Sequence, residues 1–67
     1  MKIYINSNPQ DVPDEVNTVG RLIDFLKISR GGTGIGIDNR IITAANWDST
    51  PIKENDHVTV ISATYGG

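Results

Sequence analysis

The residues of this chain with the clearest chemical potential are the last two. Gly66 and Gly67 follow closely on the apolar run His57-Val-Thr-Val-Ile-Ser-Ala63. At average glycine usage, a terminal pair arises by chance in roughly half a percent of chains. Two residues without side chains form a thin, permissive thread that can pass through a narrow slot in another protein. What such a thread delivers is the carboxylate of Gly67.

Other candidate sites fail on spacing. Gly31 and Gly36 have the offset of a phosphate-binding Walker A loop, but Ile37-Asp38 stands where Lys-Ser/Thr must hold phosphate and metal. A dinucleotide loop would need a third glycine at Ile37, and this cluster precedes a strand rather than opening a helix. The segment reads as a flexible connector. His57 is the only histidine, and cysteine is absent. A metal or nucleophilic site would need a second ligand or a partnered base, so His57 reads as a surface or packing residue. Its neighbour Asp56 points to the opposite face if both lie in a strand. Asp11, Asp14 and Glu15 read as solvated loop residues, and Trp47 as a packing plug beside the sheet. No catalytic or metal site is expected within the chain.

At 67 residues the chain is one small domain, 1–67, with a flexible tail expected from about residue 63. A domain of this size buries only about 60% of its unfolded surface, which leaves no room for an internal active-site cleft. The composition is 37% hydrophobic and 21% charged, that of a compact protein rather than a disordered one. With 6 Lys+Arg against 8 Asp+Glu and the basic residues scattered, nothing offers a stripe for nucleic acid. Stability must come from packing, because no disulfide can form. No apolar run approaches a membrane span, and Met1–Ile5 is too short and polar for a signal peptide, so the expected location is cytoplasmic.

The elements follow from periodicity. Met1, Ile3 and Ile5 alternate with Lys2, Tyr4 and Asn6, as in a strand with one buried face. Ser7-Asn8-Pro9 reads as a turn and Gln10-Asp11-Val12 as a short returning strand. Thr18 is a plausible N-cap for a helix whose buried stripe is Val19, Leu22, Ile23 and Leu26, widened by Phe25. That helix is expected to run about three turns and to end near Ile28 to Arg30, with Gly20 costing about 1 kcal/mol in its first turn. A second hairpin spans Ile35–Asp38 and Arg40–Thr43 around an Asp38-Asn39 turn. Pro51–Asn55 leads into the last strand, His57–Ala63.

The order strand, strand, helix, strand, strand, strand predicts an α+β fold of the β-grasp type: a mixed sheet of four to five strands with one main helix on one face. The helix and second hairpin supply the crossover that lets the last strand lie parallel beside the first. The helix cannot cover both faces of the sheet. If Ile3 and Ile5 face it, Tyr4 points to the open side, as does Ile61 if Val58 and Val60 face inward. Tyr4 and Ile61 are therefore expected to form an apolar partner-docking patch.

With its tail on such a fold, the chain resembles the ThiS family, the small sulfur carrier proteins of thiamin biosynthesis. The resemblance covers nearly the whole length. It is carried by Thr18-Val19 opening the helix, the Ile37-Asp-Asn-Arg-Ile-Ile42 hairpin, Trp47, Asn55-Asp56 before Val58, and Gly66-Gly67. Asn55 stands where the family usually has glycine, and Tyr65 where a small aliphatic residue is common. The resemblance implies that an E1-like adenylating enzyme uses ATP to convert the Gly67 carboxylate into an acyl adenylate. Sulfur from a donor system then replaces AMP, and the resulting thiocarboxylate feeds a thiazole synthase. In that scheme the chain is a carrier and co-substrate, monomeric when free, with no cofactor of its own. Gly66 gives clearance, and Thr64 and Tyr65 line the partner's channel.

Three other readings fit the same residues. The small subunit of molybdopterin synthase has a similar shape and the same terminal glycines. A ubiquitin-type modifier would join Gly67 to a lysine of another protein. A plain β-grasp interaction domain would carry the glycine pair incidentally.

Overall fold

Alternation in Met1–Ile5 and in His57–Ile61 places two strands side by side at the centre of one sheet. The computed structural model describes residues 1–61; Ser62, Ala63, Thr64, Tyr65, Gly66 and Gly67 lie outside the described residues. Five strands, β1 (Lys2–Ile5), β2 (Asn8–Asp11), β3 (Gly34–Ile37), β4 (Arg40–Ile42) and β5 (His57–Ile61), form one sheet in the order β2-β1-β5-β3-β4. β5 runs parallel to β1, with Tyr4 opposite His57 and Ile5 opposite Val58, and antiparallel to β3. This is the β-grasp arrangement. Helix α1 (Val19–Phe25) covers one face, and a 3-10 helix (Ala44–Ser49) packs beside it.

The inward residues of the strands meet one face of the helix. Ile3, Ile5, Ile35, Ile37, Val58 and Val60 close against Val19, Leu22 and Ile23, with Val12, Val16, Ile28 and Ile52 at the margins. Trp47 is 2% exposed, and its indole N–H donates to the Ile42 carbonyl at 2.9 Å, so the ring fills the core without stranding its polar atom. Asp56 is the one buried charged residue among those described. Its carboxylate accepts the Lys53 N–H at 2.9 Å and pairs with Lys53 Nζ at 3.5 Å.

Two hairpins turn on paired left-handed residues rather than on glycine. Asp38 and Asn39 have φ of 50° and 69°, and Asn6 and Ser7 have 51° and 72°. Two consecutive positive values mark type I′ turns, whose twist matches that of the flanking strands. The first turn therefore lies at Asn6-Ser7, not at Ser7-Asn8-Pro9, and β2 begins at Asn8. Pro9 is tolerated inside it because β2 is an edge. Pro9 opposes Tyr4, whose N–H bonds the other way, to the Asp56 carbonyl at 2.9 Å. β3 likewise begins at Gly34, so the second half of the expected flexible glycine segment is strand.

α1 is shorter than its periodicity predicts: about two turns rather than three, ending before Ile28–Arg30. Lys27 adopts φ 58°. The Lys27 N–H bonds to the Asp24 carbonyl at 3.1 Å and the Ile28 N–H to the Ile23 carbonyl at 3.2 Å, the pairing of a Schellman C-cap. Ile28 then folds back into the core. Phe25 falls on the outer side, 41% exposed, and does not widen the buried stripe. At the other end Thr18 caps as expected, its hydroxyl accepting the Arg21 N–H at 3.2 Å. Gly20 has a packing reason: a Cβ there would collide with Asp48 Oδ1 on the 3-10 helix. Arg30 grips that carboxylate at 3.0 Å and 3.4 Å, also reaches the Gly20 carbonyl at 3.4 Å, and lies over the Trp47 ring at 5.9 Å. Hydrogen bonding to Asp48 is the main effect raising the Arg30 pKa above its ordinary value, and it leaves the guanidinium charged at every working pH.

A non-glycine residue in the left-handed region costs about 1 kcal/mol or more. Lys27→Gly is therefore expected to stabilise the fold by about 1 kcal/mol and to raise the melting temperature by about 4–8 °C. Thermal unfolding followed by circular dichroism tests this, and a lowered midpoint would contradict it.

Candidate functional site

The expected site has two parts, the C-terminal residues and the face of the sheet turned away from α1. Gly67, Gly66, Tyr65 and Thr64 lie outside the described residues. The structure does describe the strand that leads to them and the face beside it.

β5 has the exposure pattern of a strand buried on one side: Val58 and Val60 inward, His57, Thr59 and Ile61 outward. On one side it pairs with β3 as far as Ile61, which stands opposite Gly34. On the other side β1 accompanies it only through Ile5 and Val58, then turns away at Asn6. Asn6 takes over at that point. Its N–H donates to the Val58 carbonyl at 2.9 Å, its Nδ2 donates to the Val60 carbonyl at 3.1 Å, and its Oδ1 accepts the Val60 N–H at 2.9 Å. β5 is thus hydrogen-bonded on both sides close to its end.

Tyr4 and Ile61 occupy the same open face, as the alternation predicts, but not as neighbours. Tyr4 is half-buried and lies beside His57, with the rings 4.5 Å apart and 7° from parallel, and Lys2 Nζ stands 5.4 Å from the phenol ring. Ile61 is four residues further along β5, roughly 13 Å at the strand rise. Its apolar counterpart is Ile41 of β4, 86% exposed against 69% for Ile61. Between them β3 presents only Gly34 and Gly36, so the sheet is bare there. The result is a shallow groove of about 270 Å³, floored by the two glycines and walled by Ile41, Ile61, Thr59 and Arg40. A Cβ on Gly34 would sit 3.9 Å from the Ile61 Cβ, and one on Gly36 would press to 3.3 Å from the Arg40 carbonyl oxygen.

Sequence reasoning missed Ile41, the aromatic stack and the floor of the groove. A signal existed in Gly34-Ile-Gly-Ile37, where glycines and isoleucines alternate at strand period. That alternation puts both glycines on the face opposite Ile35 and Ile37. His57 faces outward onto Tyr4, while Asp56 is buried beside Lys53, so the two do not act together. Among the described residues, no group of three His, Asp or Glu side chains converges as a metal site. No helix among them is long and apolar enough to cross a membrane. The open face therefore carries an aromatic pair, a glycine-floored apolar groove, and a clamped strand end beside it.

Comparison with known proteins agrees with this geometry. The crystal structure of thiamine biosynthesis protein ThiS from Geobacter metallireducens is similar, with a TM-score of 0.82 at 22% identity over 100% of both chains. An NMR solution structure of a thiamine biosynthesis protein from the same organism gives 0.80 at 22% identity, covering 100% of this chain and 88% of that one. Likeness at that identity establishes the fold. A search of curated proteins found no match. The model of the ThiS family matches residues 3–67, through both terminal glycines. This chain therefore belongs to the ThiS family of sulfur carrier proteins.

Proposed function

We propose that this chain carries sulfur as a thiocarboxylate on Gly67 for formation of the thiamin thiazole ring. The observation that carries the reading is the family match through residue 67, on a fold whose last described strand ends beside an open face with an apolar groove. A carboxylate resists attack because its leaving group would be oxide. A carboxylate oxygen of Gly67 must therefore first attack the α-phosphorus of ATP in an E1-like adenylating enzyme, expelling pyrophosphate. A persulfide from the donor system then adds through its outer sulfur to the acyl carbon, and AMP leaves with the electron pair of the broken C–O bond. A thiol cleaves the resulting acyl disulfide, is itself oxidised to a disulfide with the donor sulfur, and leaves the thiocarboxylate on Gly67. The thiazole synthase takes the sulfur from the thiocarboxylate.

The chain's own contribution is presentation. The six residues after Ile61 can span at most about 20 Å, so the carboxylate can enter a site recessed by that depth while the domain stays outside. Glycine at 66 and 67 keeps the leading end narrow, and Thr64 and Tyr65 are the first side chains to meet the channel wall. Tyr4 and Ile61, joined by Ile41, form the face on which the adenylating enzyme and the synthase dock. ATP is bound by the partner, and the carrier needs no cofactor of its own.

Intact mass after incubation with the adenylating enzyme, ATP, a persulfide source and a thiol reductant is expected to rise by one oxygen-to-sulfur exchange. Deletion of Gly66 and Gly67 should abolish that rise and change the melting temperature by no more than about 2 °C, because chain ends add little packing. An unchanged mass with a partner active on another carrier, or a large loss of stability on deletion, contradicts the assignment. Joint replacement of Tyr4 and Ile61 by Ser should weaken partner binding by about tenfold or more, measured by titration calorimetry. The accompanying loss of stability should not exceed about 1 kcal/mol, since only surface contacts and the ring stack are removed. Unaltered affinity would remove these residues from the interface.

A further inference from the structure

Where β1 ends, β5 would lose its partner on one side for its last residues. A strand hydrogen-bonded on one edge only is freer to splay and twist. The Asn6 side chain prevents this by acting as one more peptide unit. A primary amide holds a donor and an acceptor in one plane, as a peptide does, and here both are used on the same residue, Val60. The backbone N–H of Asn6 adds the third bond, to Val58. Asp would place an acceptor against the Val60 carbonyl, and Ser could offer only one short arm.

The position makes a second demand. Asn6 has φ 51° in the Asn6-Ser7 turn, which glycine meets more easily than asparagine. The turn alone therefore does not require an amide. We propose that Asn6 is a positioning residue for the C-terminal chemistry: its amide fixes the end of β5, at Val60, relative to the face around Ile41 and Ile61 on which a partner docks. This inference rests on the sulfur-carrier reading. A partner that grips the sheet face and acts on Gly67 receives the carboxylate on a thread rooted at Ile61, so the root must be held in a fixed relation to that face, and misplacement of a reacting group is felt in the rate of the bound complex.

The test is the rate of thiocarboxylate formation on the full-length chain, read by intact mass with an E1-like adenylating enzyme, ATP, a persulfide source and a thiol reductant. Wild type is compared with Asn6→Gly, which keeps the turn and loses the amide, and with Asn6→Asp, which keeps the shape and loses the donor. Hydrogen exchange of the Val60 amide is followed in the same proteins. Positioning predicts faster exchange at Val60, KM within about twofold of wild type because the docking face is intact, and kcat lower by about tenfold or more. Wild-type kcat in either variant, a change confined to KM, or unaltered exchange at Val60 would each overturn the inference. Loss of the fold in both variants would also overturn it, by making the amide a general determinant of folding. A wild-type chain that takes up no sulfur refutes the carrier reading and this inference with it, whereas normal uptake by wild type and variants alike refutes the inference alone.

Discussion

Everything in this molecule is arranged around the parallel pairing of its first and last strands. Parallel neighbours cannot be joined by a short turn, so the chain between β1 and β5 has to leave the sheet, cross it and return. That crossover is α1 together with the β3–β4 hairpin and the 3-10 helix. Because the crossover runs over one face, Ile3, Ile5, Val58 and Val60 are sealed beneath α1 while Tyr4, His57, Thr59 and Ile61 are left on the other side. One topological requirement thus produces both the core and the open surface. It also places the strand that leads to the C-terminal residues in the middle of the sheet, paired through Asn6 and β3 on its two sides, rather than at an edge.

A domain this small, without disulfides, has few ways to hold a crossover against a sheet. It does so with a clip of charged and aromatic groups built around the lack of a side chain at Gly20. That gap lets the 3-10 helix approach α1, which brings Asp48 to Arg30 and Arg30 over Trp47. The ion pairs themselves lie near water and add little energy. Their geometry matters more: Trp47 is seated in the core with its N–H satisfied, and Thr50 and Asn17 backbone carbonyls take the Val19 and Ile52 amides on either side of the junction. The Pro51–Asn55 loop is then held close enough for Asn55 to make its left-handed turn into β5.

The open face gains its shape from what is missing. β3 alternates isoleucine toward the core with glycine toward solvent, so the strand contributes to packing on one side and nothing on the other. Ile41 and Ile61 then stand as two walls with no filling between them. Exposed isoleucines flanking bare backbone have no stabilising role in the free protein, and such a surface gains by being covered. It adjoins the end of β5, where Ile61 is both the last described residue and one wall of the groove.

Local information in the sequence was enough for much of this. Period-two alternation defined β1 and β5, the stripe at Val19, Leu22 and Ile23 defined α1, and Thr18 marked its start, because each signal depends only on residues close in the chain. The β-grasp order followed from element types and the need for a crossover, and the terminal glycine pair with the ThiS resemblance pointed to the carrier family. The places where local reading failed are those where distant residues decide. Lys27 ends the helix at a left-handed position that sequence assigns to glycine, because Ile28 must turn back into the core. Asn6-Ser7 rather than Ser7-Asn8-Pro9 makes the turn, because Pro9 can sit in a strand only at an edge, and which strand is an edge is a property of the whole sheet. Gly20 read only as a cost to the helix and Gly34 as part of a flexible connector; they are a close approach to the 3-10 helix and a groove floor. Tyr4 and Ile61 were placed on one face by alternation, but their separation, the arrival of Ile41 and His57 beside them, and the amide of Asn6 closing on Val60 depend on register between strands distant in the chain, by more than fifty residues for β1 and β5. The sequence by itself determined which side chains of β1 and β5 face which way; only the tertiary structure decided which of them meet, since contact is set by pairing across the sheet and not by position along the chain.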